Sequence, residues 1–378
     1  MNIRKEKSRL LTFAVYSVIN ILFILKYGQR ILPVSTIVGG CVAYVAAMAI
    51  VLGYTERILK RLSCKATLWL MGVAVAALIV LQYFIDPMTV QVDRWSAIHN
   101  FLQYLLHGEY PYAAQTHLGG YGSPFPVWQV MHLPFYLIGN VGLSFVICLI
   151  LFTDAVRRLS SHRVAAEAFM LLLLSPAFLY EVSVRSDLIS NFLLCAAIIM
   201  YMHRYRFNLK RHWVTIAIIC GLMMSTRLAV CIPFFLFLFW DYLYACNWKQ
   251  KVGLPLLILL VFGLTFLPFA IWNWDMLFYF EYSPFALQTR QGVPFNTPII
   301  IMLCLLASLF LRGEWKNYLV ATGSCLTALV LITFLSRMYI YNQWGELFES
   351  RYDITYFNMA LPFIIAAIAL KEDEKIYC

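Results

Sequence analysis

Residues 92–112 read VDRWSAIHNFLQYLLHGEYPY and gather Asp93, Arg94, His99, His107 and Glu109 with the rings of Trp95, Tyr104, Tyr110 and Tyr112. Side chains of these types suit proton transfer at a polar substrate. A positioned carboxylate acting as general base contributes about 10²–10⁴-fold to a rate, and Asp93 is the candidate for that role. Arginine is its natural complement, because it is permanently charged and donates a forked pair of hydrogen bonds to a phosphate. Arg94, Arg185, Arg227, Arg290, Arg337 and Arg351 are the arginines available on the same side of the chain. Arg227 stands out by position, since MMSTRLAVCIP sets it between two short apolar runs, where an ionisable residue is costly and so a functional candidate.

The element that must hold Asp93 is legible in the spacing. Trp95, Ile98, Phe101, Leu102, Leu105 and Leu106 recur on one side of a helix, with Asn100, Gln103, Tyr104 and His107 on the other. Asp93 stands where an N-cap belongs and Gly108 where the helix should stop. Such a helix is expected to lie along the membrane surface with its apolar face down. Capping alone, worth about 1 kcal/mol, accounts for Asp93 without any chemistry.

The rest of the chain is oil. Of 378 residues 62% are hydrophobic and 13% charged, against about 45–50% and about 25% in soluble domains. The reading is one polytopic all-α membrane domain over residues 1–378, with about twelve spans near 10–25, 31–54, 66–85, 138–156, 164–181, 187–202, 213–226, 228–246, 253–272, 297–311, 318–336 and 354–370. The basic, apolar N-terminal stretch lacks a small-residue cleavage site and reads as a retained first helix. Placing the N-terminus inside puts 21 of the 29 Lys and Arg in cytoplasmic segments, as the positive-inside rule requires. Both termini are then cytoplasmic, and the net charge of +10 reports topology rather than nucleic-acid binding. The first large outer loop covers 86–140, and shorter ones follow at 273–296 and 337–353. Within it, residues 124–138 read as a partly embedded helix broken near Pro134.

Other chemistries find little support. Ten cysteines lie mostly in apolar runs, without zinc-ligand spacing. His99 and His107 are eight residues apart, too far for the one-turn pairing of a helical metal site. There is no Walker-type loop, HExxH or serine elbow. An Arg185–Asp187 pair in EVSVRSDLISN fits a solvated surface turn as well as a site.

The succession of Asp93, an amphipathic helix, GEYPY at Gly108–Tyr112 and YGSPFP at Tyr121–Pro126 resembles the GT-C superfamily of membrane glycosyltransferases, and most the polyprenol-phosphate-mannose-dependent mannosyltransferases. RYDITYFNMALPF at Arg351–Phe363 resembles the Arg-Tyr segment that opens a last helix in such enzymes. The motif-level likeness covers about 60 residues, so its force lies in the order of the motifs. It implies transfer of a sugar, mannose or another hexose or pentose, from a polyprenyl-phosphate donor to a glycan, lipid or protein acceptor at the outer face. The anomeric carbon inverts, and Asp93 works at the acceptor hydroxyl. Arg94, Tyr112, Tyr121, Arg185, Asp187, Arg227, Arg290 and Arg351 are the substrate-binding candidates. The lipid-linked sugar is the co-substrate, membrane lipid the surroundings, and a bacterial plasma membrane fits better than the endoplasmic reticulum. Relatives often carry a second acid beside the first, whereas Arg94 and Trp95 follow Asp93 here. No metal ligands are assigned, and a divalent metal stays an open alternative. A multi-span transporter or lipid-linked glycan flippase is the rival reading, and a polysaccharide polymerase or ligase the third.

Overall fold

In hydrocarbon every backbone N–H and C=O needs a partner inside its own segment, which leaves helices as the way for apolar runs to cross. The computed structural model describes residues 3–290, 292–309, 311, 315–342, 344 and 353–370. Its helices are α1 Ile3–Gly28, α2 Val34–Arg61, α3 Cys64–Phe84, α4 Arg94–His107, α5 Pro126–Met131, α6 Leu133–Leu137, α7 Ser144–Leu159, α8 His162–Leu173 and α9 Pro176–Ser183. They continue as α10 Leu188–Arg204, α11 Leu209–Met224, α12 Cys231–Tyr244, α13 Trp248–Trp272, α14 Trp274–Phe278, α15 Pro284–Thr289, α16 Asn296–Leu309, α17 Trp315–Tyr341 and α18 Leu361–Ala369. Among the described residues β structure is confined to one isolated bridge, Gln115 with Tyr121.

Five helices, α1 from Leu10 onward, α2, α3, α13 and α17, are long and apolar enough to span a bilayer. The pair α8 and α9, bent by 70° at a short break, makes a sixth if it is one broken span. The chain is an integral membrane protein. Each of the twelve apolar runs marked in the sequence contains helix, but several helices are short. α10, α12 and α16 have 17, 14 and 14 residues, or about 21–26 Å at 1.5 Å per residue, less than the ~30 Å hydrocarbon core.

The residues sort into two units, each built from separated segments. The first comprises Met1–Val80, Ile150–Glu181 and Val293–Cys378. Its broken span shows how a helix interruption is tolerated. At Ser175 and Pro176 the ladder fails, and fully buried Asn20 of α1 accepts the Ser175 hydroxyl at 2.6 Å and the Ala177 N–H at 3.2 Å. The Tyr16 hydroxyl donates to the Leu171 carbonyl at 2.9 Å. Side chains of one helix thus replace the bonds that the break in another removes.

The second unit comprises Leu81–Leu149 and Val182–Gly292. Here α11 packs closely on α13, because a Cβ at Gly221 would lie 2.7 Å from Val261 Cβ and 2.9 Å from the Ile258 carbonyl oxygen. Small residues permit this approach between membrane helices. Gly221→Val is expected to lower stability by about 1–3 kcal/mol through overpacking, read as a fall in the thermal midpoint of the detergent-solubilised protein.

Two local expectations hold and one is corrected. Gly108 ends α4 in the left-handed conformation at φ 75°, which glycine adopts without a Cβ clash. The 124–138 segment is broken as expected, into α5 and α6 at His132, with Pro134 in the first turn of α6. The apolar face of α4, by contrast, is covered by protein over its middle, with Leu106 left exposed at its end. Ile98, Phe101 and Leu102 are buried in protein, and the Phe101 ring meets Tyr112 at 5.0 Å and Phe269 of α13 at 5.8 Å. A one-sided apolar stripe specifies burial without naming the partner, and here α13 and the 110–113 turn supply one.

Candidate functional site

Every described residue assigned to the site from sequence belongs to the second unit: Asp93, Arg94, Tyr112, Tyr121, Arg185, Asp187, Arg227 and Arg290. Arg351 lies outside the described residues.

Asp93 occupies the N-cap position of α4 but its carboxylate caps nothing. The cause is the backbone. At φ −98° and ψ 2° it departs from the extended conformation in which an N-cap side chain reaches the first-turn N–H groups. The half-buried carboxylate turns instead to Thr116, whose hydroxyl donates to Asp93 Oδ2 at 2.9 Å. Thr116 is itself fixed by a tight turn. Its N–H donates to the Gly120 carbonyl at 2.8 Å, and its Oγ1 accepts the Gly120 N–H at 3.0 Å. The turn passes so close that a Cβ at Gly120 would lie 3.1 Å from Asp93 Oδ2.

Behind Asp93, Ser96 Oγ donates to the Asp93 carbonyl at 2.9 Å, accepts the His117 N–H at 3.2 Å and lies 2.7 Å from His117 Nδ1. His117 Nε2 reaches the Val90 carbonyl at 3.1 Å. A serine beside a histidine invites a nucleophile reading, but Ser96 is 1% exposed and fully engaged, so its role is to hold the main chain.

A second acid repeats the pattern. Asp187 stands at the N-cap position of α10 without capping it. Its Oδ2 accepts Arg227 Nη2 at 2.6 Å and Trp128 Nε1 at 2.6 Å, with both charged side chains almost wholly buried. The Arg227 guanidinium thus supplies the positive charge that a buried carboxylate needs. His132 Nδ1 lies 2.7 Å from the Trp128 carbonyl, and because a carbonyl only accepts, Nδ1 carries the proton of that bond. Asp187 Oδ1, Gln129 Oε1, His132 Nε2, Ser190 Oγ and both amide atoms of Asn191 are buried without a hydrogen-bond partner among the described residues.

The expected Arg185–Asp187 pair is replaced by Arg227–Asp187. Arg185 has φ 54°, a left-handed turn uncommon outside glycine, and its Nη2 donates to the Gln82 carbonyl at 2.6 Å. Tyr112 is 1% exposed and fills the core between Phe101 and Phe269, so in this structure it packs rather than faces solvent. Tyr121 is half-buried, its hydroxyl accepting Gln115 Nε2 at 3.0 Å and its ring 5.4 Å from that of Tyr282. Arg290 is exposed at the end of α15. That helix is tied to the 121–126 loop by Gln288 Nε2, which donates to the Ser123 carbonyl at 2.7 Å.

The loop is stitched to Arg227 by complementary helix ends. Pro126 opens α5, and the Phe125 and Val127 N–H groups donate at 3.2 and 3.1 Å to the Thr226 and Ser225 carbonyls just past α11. Donors left over at one helix start thereby meet acceptors left over at another helix end. On either side of the same 225–227 segment, Met224 and Val230 line an apolar cavity of about 310 Å³ with Cys231, Phe234, Leu254 and Ile258. A hydrocarbon chain suits such walls.

Thr116, Trp128, Gln129 and Ser225 were missed from sequence. The LGG of HLGGYG signalled a turn after Thr116, while Trp128 and Gln129 lay hidden in a run read as embedded. Around Asp93 one carboxylate with an oxygen already engaged does not supply the oxygen set that a divalent ion needs. The described residues hold no cluster of three or more His, Cys, Asp or Glu fit for a metal.

Comparison of the chain with protein-family models, curated proteins and solved structures gave no match. Fold and site together define a helical integral membrane protein whose described site candidates fall in one of its two units.

Proposed function

We propose that this protein is a membrane glycosyltransferase that moves a sugar from a polyprenyl-phosphate donor to a hydroxyl of a glycan, lipid or protein acceptor, with inversion. The observation that carries the reading is the carboxylate of Asp93, half-buried, freed from capping and aimed by Thr116. In this reading twelve spans leave both termini in the cytoplasm and the site on the outer face of a bacterial plasma membrane.

The chemistry follows from the residues. Asp93 takes the proton of the acceptor hydroxyl as its oxygen attacks the anomeric carbon. The bond from that carbon to the phosphate oxygen breaks, and the polyprenyl phosphate leaves with the electron pair. Thr116 occupies Oδ2, so Oδ1 receives the proton. The half-buried Arg94 and exposed Arg290 supply positive charge for the leaving phosphate, and the cavity beside the Arg227 segment takes the start of the isoprenoid chain. Gly120→Ala, which crowds Oδ2, is expected to slow transfer several-fold, short of the about 10²-fold attached to a 1 Å misplacement, in a radiolabelled sugar-transfer assay.

Two observations favour the transporter reading. A span bent by 70° and an ion pair buried beside short apolar helices are features that transporters use. Membranes carrying the protein, supplied in turn with several polyprenyl-phosphate sugars and glycan acceptors, separate the two. Transfer with inversion supports the proposal. Saturable solute uptake with no transfer from any donor overturns it.

A further inference from the structure

We infer that Thr116 is the positioning residue for Asp93, braced by His117, an inference that rests on the glycosyltransferase reading above. The acid is gripped at two points by one dipeptide. Thr116 holds the carboxylate through the 2.9 Å bond to Oδ2, and His117 holds the main chain through Ser96, which donates to the Asp93 carbonyl. The direction of the first bond is fixed. Thr116 Oγ1 accepts the Gly120 N–H, and an ionised carboxylate only accepts, so the hydroxyl proton points at Asp93.

Two consequences follow. The carboxylate cannot swing back to cap α4 while Thr116 holds it. Its two oxygens become inequivalent, with Oδ2 held by protein and Oδ1 left for the acceptor hydroxyl. The turn is also tied to the polar side of α4, where Asn100 Nδ2 donates to the Gln115 carbonyl at 2.7 Å, and the Gly120 Cα passes Asp93 without a side chain. His117 adds stiffness, as its ring lies 5.3 Å from that of Trp95 and its Nε2 contacts the Val90 carbonyl. The segment before α4 and the turn after it are thereby joined across Asp93.

Thr116→Val keeps the shape and removes the donor, whereas Thr116→Ser keeps the donor. In the transfer assay Thr116→Val is expected to lower kcat about 10–100-fold, the range for loss of a hydrogen bond to a charged group, with KM for the donor lipid within about twofold. Thr116→Ser should restore most of kcat. An unchanged kcat in Thr116→Val, or an equal loss in Thr116→Ser, overturns the inference. If Thr116→Val does not fold, Thr116→Ala takes its place in each comparison.

A second measurement separates this inference from the reading on which it rests. A water-soluble carbodiimide labels a carboxyl group according to its freedom to reach the reagent, and a hydrogen bond from a neighbouring hydroxyl to the charged group restricts that freedom. Labelling of Asp93, followed by peptide mass spectrometry on the full-length protein in detergent, should be faster in Thr116→Val than in wild type and close to wild type in Thr116→Ser. Equal rates in all three overturn the positioning role. Wild-type protein that transfers no sugar yet shows this labelling pattern overturns the glycosyltransferase reading and supports the grip on Asp93.

Discussion

Asp93→Asn is expected to lower sugar transfer by about 10²–10⁴-fold, the range of a general base, with the thermal midpoint near the wild-type value. The second half of this result comes from the geometry. Asparagine caps a helix about as well as aspartate, so the substitution would spare even a capping bond at the start of α4. Asp93 makes no such bond, and the amide oxygen of asparagine can still accept the Thr116 hydroxyl. What asparagine lacks is the ability to take a proton. The measurement is transfer from lipid-linked sugar in membranes containing equal amounts of the two proteins, beside thermal unfolding in detergent. Transfer at the wild-type rate removes Asp93 from the chemistry. A large stability loss with proportionate activity loss returns it to a structural role.

Local rules made part of this legible. The stop at Gly108 and the break between α5 and α6 depend on one glycine and one proline, whose effects are carried by their own backbones. Asp93 was correctly located and wrongly given a cap, because the competing donor, Thr116, lies 23 residues further on. Asp187 was paired with its near neighbour Arg185 for the same reason. Proximity in sequence favoured that pair, but the left-handed turn at Arg185 sends its side chain to Gln82, and Arg227, 40 residues away, takes the place. The apolar stripe of α4 was real but ambiguous, since the spacing that suits a lipid surface also suits Tyr112 and Phe269. Span number was hardest to read. Hydropathy detects apolar runs, while the actual length of a helix is set where side chains such as Asn20 make a break tolerable.

Arg227→Met is expected to destabilise the protein by about 3–5 kcal/mol, the range for stripping the partner from a buried ion pair. Arg227 was expected as a phosphate ligand, but its guanidinium lies on Asp187, with both almost wholly buried, so it must leave Asp187 before it can serve a substrate. The double variant Asp187→Leu with Arg227→Met should recover most of the loss, because it leaves no buried charge unpaired. Thermal midpoints of the wild type, Arg227→Met and the double variant decide the matter, and a double variant no more stable than Arg227→Met would mean that the charge left on Asp187 is not the cause of the loss.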